Sequence, residues 1–403
     1  MATQRLNVAV VIFGGGAAGL WLLDELHRQG TGALVLESDA LGSGQTIASQ
    51  GIIHGGLKYT LAGALTGSAR AIRRMPGIWR RCLRGEGPVD LSRTRLRADC
   101  CHLWHTRSVR SRVGMIGARA GLRIRPVELA AAERPAALAA CPGQVMRLDE
   151  QVVDPASLIE ELAGRNHDRL LKIDGENGVE IAAPRPGEIE SIRIAGPAGG
   201  QSTVELRPQR VVLTAGAGNG GLRERAGLAP GVMQRRPLHM VMLRGTLLPL
   251  NGHCVDGART RVTITTGTDS RGRAVWQVGG QVAEEGTAME PAELVRHARA
   301  EVEAVLPGND LSAVEWSTYR VDRAEGVTRG GSRPENVTVR CDGNVVTAWP
   351  TKLALVPELA RQVIALLPAD GPRGRPVDPE ALRDFLRPVP AQPPWESPTQ
   401  WFT

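Results

Sequence analysis

The chain has 403 residues and a formal net charge of +7, with 42% hydrophobic and 23% charged residues. These proportions are those of a soluble globular protein, and the length predicts two domains. No apolar run approaches the roughly eighteen residues that span a membrane, and the start MATQRLNVAVV lacks the basic leader and cleavage site of a signal peptide. The six cysteines form no CxxC pair. Their spacing argues against a zinc site, an iron–sulfur site and a disulfide framework, and it predicts a cytoplasmic protein without a metal.

Positive charge is concentrated between residues 70 and 125, where fifteen arginines stand against three acidic residues. Such blocks occur on proteins that bind nucleic acid, anionic lipid or an anionic substrate. We favour a solvated surface, because the block lacks the interleaved aromatic residues of single-strand binders. Nucleic acid is therefore not the expected partner, and a peripheral contact with the inner face of the membrane stays open.

The N-terminal segment predicts a strand, a helix and a second strand in succession. Val8–Phe13 is an apolar run of strand length. Residues 17–29 follow with leucines at helical spacing, and Gly30 is a suitable helix stop. The run ALVLE then predicts a second strand, which ends in Glu37. This is the βαβ unit in which dinucleotide-binding fingerprints occur.

A glycine pattern lies at the turn from the first strand to the helix. Gly14, Gly16 and Gly19 fit GxGxxG, and Glu37 follows Gly19 by eighteen residues. The glycines permit a tight turn and close approach of the backbone to a pyrophosphate, while a carboxylate at that distance can accept the ribose hydroxyls. The pattern in this context predicts a dinucleotide site and leaves NAD and FAD both open.

Later segments alternate between strand and helix patterns. Asp154 or Ser157 is placed to cap a helix in VVDPASLIEEL. An apolar strand, VVLTAG, enters a glycine-rich turn. The strands of a second sheet are predicted at HMVMLRG, RVTITTG and RAVWQVGG. The tail from Asp370 is proline-rich and is expected to be extended. Its large aromatic residues, which can dock on the body or on a partner, are Trp395, Trp401 and Phe402.

Taken as a whole, the sequence resembles the D-amino-acid oxidase superfamily of FAD-dependent oxidoreductases. Within it, the sequence is most similar to the branch of glycerol-3-phosphate dehydrogenase and L-2-hydroxyglutarate dehydrogenase. The most specific match is Ile53-His54-Gly55-Gly56 followed by Tyr59. Beyond the fingerprint, the likeness extends over GSGQTIASQGIIHGGLKY, VVDPASLIEEL, VVLTAGAGNGGL and NVVTAWPTKLALVPELARQV.

The resemblance implies an α/β fold, α+β overall, with a Rossmann-like FAD-binding domain and a substrate domain built on a mixed or antiparallel sheet. The implied segments are 1–75, 140–230 and 335–375 for the FAD-binding domain, 76–139 and 231–334 for the substrate domain, and 376–403 for the tail. It also implies FAD bound without a covalent link, although His54 is a covalent anchor in some relatives. The residues that the resemblance places at the cofactor are Gly14, Gly16, Ala17, Ala18, Gly19, Glu37, Ser38, Thr46, Ser49, Gln50, Gly51, His54, Ala215, Gly216, Thr351, Lys352 and Leu353.

Two segments depart from the pattern of the family. Trp349–Leu353 replaces a glycine-rich turn near the flavin, but it keeps a helix N-terminus whose dipole would stabilise negative charge. The substrate-binding arginine usually lies in a Gly-x-Arg-Pro stretch, and here STYRVDRAEG offers Tyr319, Arg320 and Arg323 without the proline.

Four residues are expected to act in catalysis. Arg320, with Tyr319 beside it, is our first choice for binding the anionic end of a substrate, and a structural salt bridge is the alternative for Arg320. His54 and His239 are the candidate general bases, because histidine titrates near neutral pH. A purely structural role is the alternative for both histidines.

The function predicted is that of an FAD-dependent dehydrogenase or oxidase that takes a hydride from a small anionic hydroxy compound, such as a hydroxy acid or a polyol phosphate. An amine or amino acid substrate is the alternative within the class, since the same geometry serves both. A flavin-dependent RNA-modifying protein and a membrane-surface dehydrogenase are alternatives of other kinds. The electron acceptor, whether oxygen, quinone or a carrier, is left open.

Overall fold

The computed structural model describes residues 4–55, 67–106, 126–196, 203–256, 259–367, 377–397 and 400–403. Gly56, Tyr59 and the arginines from 107 to 125 therefore lie outside the described residues. The strands, numbered in chain order, are β1 (Gln4–Phe13), β2 (Ala33–Glu37), β3 (Leu96–Ala98), β4 (Cys101–Trp104), β5 (Val127–Glu128), β6 (Val145–Leu148), β7 (Val152–Val153), β8 (Leu170–Lys172), β9 (Val179–Ala182), β10 (Ser191–Ala195), β11 (Thr203–Leu213), β12 (Met233–Gly245), β13 (Gly252–Asp256), β14 (Arg259–Thr268), β15 (Ala274–Gly279), β16 (Glu315–Gly326), β17 (Thr338–Asp342) and β18 (Val345–Trp349). The α-helices are α1 (Ala17–Arg28), α2 (Gly67–Leu83), α3 (Pro155–Arg165), α4 (Asn219–Arg225), α5 (Gln281–Glu285), α6 (Pro291–Val305) and α7 (Val356–Ile364).

The first sheet has a parallel centre. Its order is β17-β18-β11-β1-β2-β8, and β9 and β10 branch from β11 as an antiparallel pair. All five residues of β2 are buried, which explains its continuous apolar run, because helices and strands cover both faces of such a sheet. On one face, Trp21 of α1 packs against Trp79 of α2, with ring centroids 4.9 Å apart. The carboxyl ends of β1, β11 and β18 thereby meet at one edge.

The second sheet is mostly antiparallel, in the order β16-β12-β15-β14-β13-β4-β6-β5. Its one parallel pair among the described strands is β13 with β4. One face packs on α6, where Trp276 and Trp316 lie in a buried apolar cluster with Leu294 and Val302. The opposite face turns towards the first sheet. The predicted α/β class is confirmed, with a mixed second sheet.

Two predicted domain boundaries cut across packed elements. The boundary at residue 75 divides α2, although Trp79 is fully buried in the core of the first sheet. The boundary at residue 140 precedes β6, which pairs with β4 in the second sheet. Each segment belongs to the sheet on which it packs. The sequence pattern alone does not show which sheet that is.

The C-terminal segment was expected to be extended throughout, but it first forms a 3₁₀ turn at Pro379–Leu382, whose N-cap is Asp378. The segment that follows joins the two sheets. Leu41 and Pro390 form a bridge beside β2, and Trp316 and Phe402 exchange backbone hydrogen bonds of 2.7 Å on the second sheet. Trp395 is only 4% exposed. The tail therefore docks on the body of the protein. Among the helices of the described ranges, none combines the length and apolar character that crossing a bilayer requires.

Candidate active site

Two glycines hold the N-terminus of α1 against the ends of β1 and β11. Gly14 has φ +104°, and a Cβ there would lie 2.5 Å from Cα of Ala215. A Cβ on Gly19 would lie 2.0 Å from the carbonyl oxygen of Gly14. Only residues without side chains allow this approach. The predicted fingerprint turn is present, with its backbone amides at the edge of the sheet.

The start of α1 is arranged to receive an anion. Gly16 is the N-cap and supplies no side-chain cap, and the first turn contains no acidic residue. The Ala17 amide donates to Oγ1 of Thr46 over 3.2 Å. Gly16, Ala17 and Ala18 line a cleft of about 2670 Å³ between the two sheets. Unsatisfied amides and the helix dipole make such a terminus a phosphate site.

Glu37 closes the other side of this turn. Its Oε2 accepts the Gly15 amide over 2.6 Å, and its Oε1 accepts the Asp39 amide over 2.7 Å. Glu37 and the adjacent Ser38 both line the cleft. Each carboxylate oxygen can accept a second hydrogen bond. The Glu37 carboxylate can therefore hold the turn and accept a ribose hydroxyl at the same time.

The loop from Thr46 to His54 crosses from the first sheet to the second. Oγ of Ser49 is buried and has no hydrogen-bond partner among the described residues. Gln50 instead donates to the carbonyl oxygens of Thr263 and Gln277, each over 2.9 Å, so it fastens the loop to the second sheet. A Cβ on Gly51 would lie 2.0 Å from the carbonyl oxygen of Val153. Packing on β7 therefore accounts for Gly51.

The last predicted cofactor residues lie where β11 and β18 end. Ala215 and Gly216 follow β11, and Trp349 donates to the carbonyl of Gly216 over 3.2 Å. Thr351 is, within the described ranges, the one non-glycine residue with positive φ, at 58°. Its buried Oγ1 has no partner there. Lys352 and Leu353 also line the cleft, ahead of α7. A strained backbone beside an unsatisfied hydroxyl is a feature of ligand sites.

Tyr319 anchors the loop. Its hydroxyl donates to the carbonyl oxygen of Ala48 over 2.9 Å and accepts from Nε2 of Gln277 over 2.9 Å. Burial raises the pKa of the Tyr319 phenol, so the hydroxyl stays protonated. This geometry gives Tyr319 a positioning role on the cleft wall.

Arg320 and His239 lie opposite each other on β16 and β12, on the face that packs against the α5–α6 region. Arg320 lines the rim of the cleft, but its guanidinium donates to the carbonyl oxygens of Thr287 and Met289 over 3.1 and 2.9 Å. His239 has one ring nitrogen 3.0 Å from the Gly286 carbonyl oxygen and the other 2.9 Å from Oγ1 of Thr318. Burial lowers the pKa of His239. The structure does not bring His239 to the cleft, because alternation along β12 points it away.

Arg323 lies on the cleft face of the same strand as Tyr319. Its side chain is 18% exposed, and its Nη2 lies 3.4 Å from Oε1 of Glu284. Its Nε is buried without a hydrogen-bond partner within the described ranges. Burial, followed by the neighbouring charge of Arg236, lowers the pKa of Arg323, although a guanidinium stays charged at neutral pH. A partly buried guanidinium whose hydrogen-bond donors are not all paired is suited to an anionic ligand.

His54 lies at another part of the cleft, in a cluster that we call the His–Glu–His cluster: His54, Glu150 and His253. Nδ1 of His54 is 3.4 Å from Oε2 of Glu150, and Nε2 of His253 is 4.0 Å from the same oxygen. The two imidazoles stack, with centroids 5.4 Å apart. Both histidines line the cleft. Three distant segments of the chain therefore meet at one carboxylate.

Comparison with known proteins identifies the family. The model of the family described as "FAD dependent oxidoreductase" matches residues 9–348. The chain belongs to this family of FAD-dependent oxidoreductases. It is also 41% identical to the probable FAD-dependent oxidoreductase PA4991 of Pseudomonas aeruginosa, over 98% of each chain. The predicted superfamily and cofactor are confirmed.

Solved structures show the same fold for this FAD-dependent oxidoreductase. The crystal structure of PA4991 matches with a TM-score of 0.81 and 38% identity, covering 98% of this chain and 99% of that one. Glycine oxidase from Geobacillus kaustophilus has a TM-score of 0.62 at 16% identity, over 91% and 95% of the chains. L-α-glycerophosphate oxidase from Mycoplasma pneumoniae has a TM-score of 0.61 at 13% identity, over 90% and 95%. The last two likenesses concern the fold alone.

The residues of the cleft fit FAD. The glycine turn and the start of α1 would hold the pyrophosphate, and Glu37 would accept the ribose hydroxyls. The buried hydroxyls of Ser49 and Thr351 supply polar groups that need a partner. FAD, when bound, supplies a hydride acceptor, and the chain supplies its position.

Proposed function

We propose that this FAD-dependent oxidoreductase oxidises a small anionic hydroxy compound, a hydroxy acid or a polyol phosphate. The observation that carries the proposal is Arg323, a partly buried cation on the cleft wall whose Nε has no hydrogen-bond partner among the described residues. A carboxylate or phosphate at the exposed part of the guanidinium would offset the cost of burying the charge. The placement of Arg323 thus favours an anionic substrate over a neutral one.

Arg323 replaces Arg320 as the proposed anchor, because the guanidinium of Arg320 is already bound to two carbonyl oxygens. Tyr319 and Gln277 hold the loop that lines the cofactor. The His–Glu–His cluster is a group of titratable side chains on the cleft wall. We propose that it accepts the proton, or balances the negative charge, of the substrate hydroxyl during oxidation. The branch of glycerol-3-phosphate dehydrogenase and L-2-hydroxyglutarate dehydrogenase remains the proposed affiliation.

An amino acid is the second candidate substrate. Glycine oxidase shares the fold, and an amino acid also presents a carboxylate that Arg323 could bind. The two substrates differ in the hydroxyl or amino group on the reacting carbon, and the anion site does not contact that group. Direct comparison of matched hydroxy and amino compounds is therefore needed.

Two arginine variants on one strand test the proposal. In anaerobic reduction of the bound flavin, we expect Arg323→Met to raise the half-saturating concentration of an anionic substrate about 10- to 150-fold, as loss of a charged hydrogen bond worth about 1.5–3 kcal/mol requires. Arg320→Met, the matched control, should change it much less. Equal effects, or an effect of Arg320→Met alone, would refute the assignment to Arg323. Faster reduction of the parent enzyme by uncharged alcohols would refute the anionic substrate.

A further inference from the structure

The His–Glu–His cluster has the composition of a transition-metal site. Two imidazoles and one carboxylate form the protein ligand set of known zinc sites that keep an open fourth position. The candidate ligand atoms on His54, Glu150 and His253 all lie within 4.8 Å of one another. We propose that the cluster binds one divalent cation of the zinc type.

The distances favour shared ligation over direct pairing. Nδ1 of His54 is 3.4 Å from Oε2 of Glu150, whereas a charge-assisted hydrogen bond is about 2.7–2.9 Å long. Ligands placed about 2.0–2.2 Å from a tetrahedral zinc ion are about 3.3–3.5 Å apart. The second distance is 4.0 Å from His253 to the same oxygen, and the ligand atoms lie within 4.8 Å of one another, so binding would draw the side chains together by about 1 Å.

The surroundings of the cluster orient two of the three ligands. Nδ1 of His253 lies 2.9 Å from Oγ1 of Thr263. With the ring proton on Nδ1 and donated to that hydroxyl, Nε2, which is 4.0 Å from Oε2 of Glu150, would be the coordinating nitrogen. Oε1 of Glu150 accepts the Gly55 amide over 2.7 Å, which fixes the carboxylate with Oε2 towards the two histidines. Outer hydrogen bonds of this kind fix the ring tautomer and the carboxylate in metal centres.

The open coordination position would face the cleft. The side chain of His54 is 27% exposed, while those of Glu150 and His253 are 7% and 2% exposed. An oxygen anion in the cleft could therefore complete the coordination, and the cation would compensate its charge. This last role rests on the proposed function, whereas cation binding itself does not. With the ion bound, His54 is a ligand and not a free base.

No pattern in the sequence indicates this site. The ligands come from the loop after β2, the link between β6 and β7, and the rigid strand β13, so no short spacing motif exists. The expectation of no metal was drawn from cysteine spacing, which does not report on a set of histidine and glutamate ligands.

Calorimetric titration of chelator-treated, FAD-loaded enzyme with Zn²⁺ tests the proposal. We expect about one equivalent to bind with micromolar or tighter affinity. Glu150→Gln and His253→Asn should each weaken binding more than about 100-fold, and Thr263→Val about 10- to 100-fold. Matched controls at other zinc-binding residue types, His297→Asn and Cys341→Ser, should leave the site intact.

Flavin content and circular dichroism of each variant establish that it is folded. Absence of zinc binding by the parent would overturn the proposal, and so would unchanged binding in both ligand variants. Because the readout is zinc binding, failure here leaves the result for Arg323 untouched. Loss of the Arg323 effect with intact zinc binding would reject the proposed function alone.

Discussion

Gly19→Ala tests whether the contact between α1 and the β1 turn builds the cofactor site. The new Cβ would lie 2.0 Å from the backbone oxygen of Gly14 and 2.8 Å from Oγ1 of Thr214. The Thr214 hydroxyl donates to that carbonyl oxygen over 3.1 Å and holds it in place, so α1 must shift. Overpacking costs about 1–3 kcal/mol, and alanine returns up to about 1 kcal/mol of helix propensity. Because the clash is with backbone, the cost lies at the upper end of that range, and we expect a net loss of about 2 kcal/mol in the free energy of unfolding.

The same shift moves the helix N-terminus where we expect the pyrophosphate to bind, so FAD affinity should fall more than about tenfold, or 1.4 kcal/mol. Fluorescence titration of apoprotein with FAD and denaturant unfolding measure the two effects. Gly164→Ala is the matched control, since its Cβ would meet nothing within 4 Å on α3. It should leave FAD affinity unchanged. If Gly19→Ala bound FAD as the parent does, the argument from close packing would fail.

Three further predictions follow from burial. Because burial lowers the pKa of His239 below 6.5, the unfolded chain takes up this proton first as pH falls. Stability that is present above about pH 6.5 should therefore be lost below it. The fall in thermal midpoint with falling pH should be smaller in His239→Gln than in the parent, and an equal fall in both would contradict this. Thiol titration of the native protein should label the exposed Cys341 and spare Cys82 and Cys254, whose pKa values burial raises to about 11 and about 12; labelling of all three at one rate would refute it. Trp395→Ala should lower the free energy of unfolding by about 3–5 kcal/mol and make the tail sensitive to protease. If the tail of the variant resists protease as the parent's does, Trp395 is not what holds it on the body.

The sequence predicted local elements well where one segment carries the whole signal. The fingerprint turn needs only β1, α1 and β2, which are consecutive, and ALVLE became β2 with the predicted bounds. Asp154 caps α3 as expected, with Oδ1 accepting the Ser157 amide over 3.1 Å. Such features depend on backbone conformations that neighbouring residues determine.

The substrate side could not be predicted to the same depth, because it depends on strand faces and on distant pairing. Arg320 and Arg323 are three residues apart and therefore lie on opposite faces of β16. Which of the two faces the cleft can be told only once the position of the strand in its sheet is known. Glu150 and His253 carried no signal, since they approach His54 only after both sheets have formed. Gln50 lines the cleft, where its side chain is bound to the second sheet.

The most direct test of the account is anaerobic mixing of the purified yellow enzyme with matched substrates. A 2-hydroxy acid, its amino acid counterpart, a polyol phosphate and the uncharged polyol are compared by loss of the visible flavin absorbance, after acid precipitation has shown whether FAD is released. We expect FAD to be released and an anionic hydroxy compound to bleach the flavin fastest. A protein that neither contains nor takes up FAD, or that only uncharged compounds or amino acids reduce, would contradict it.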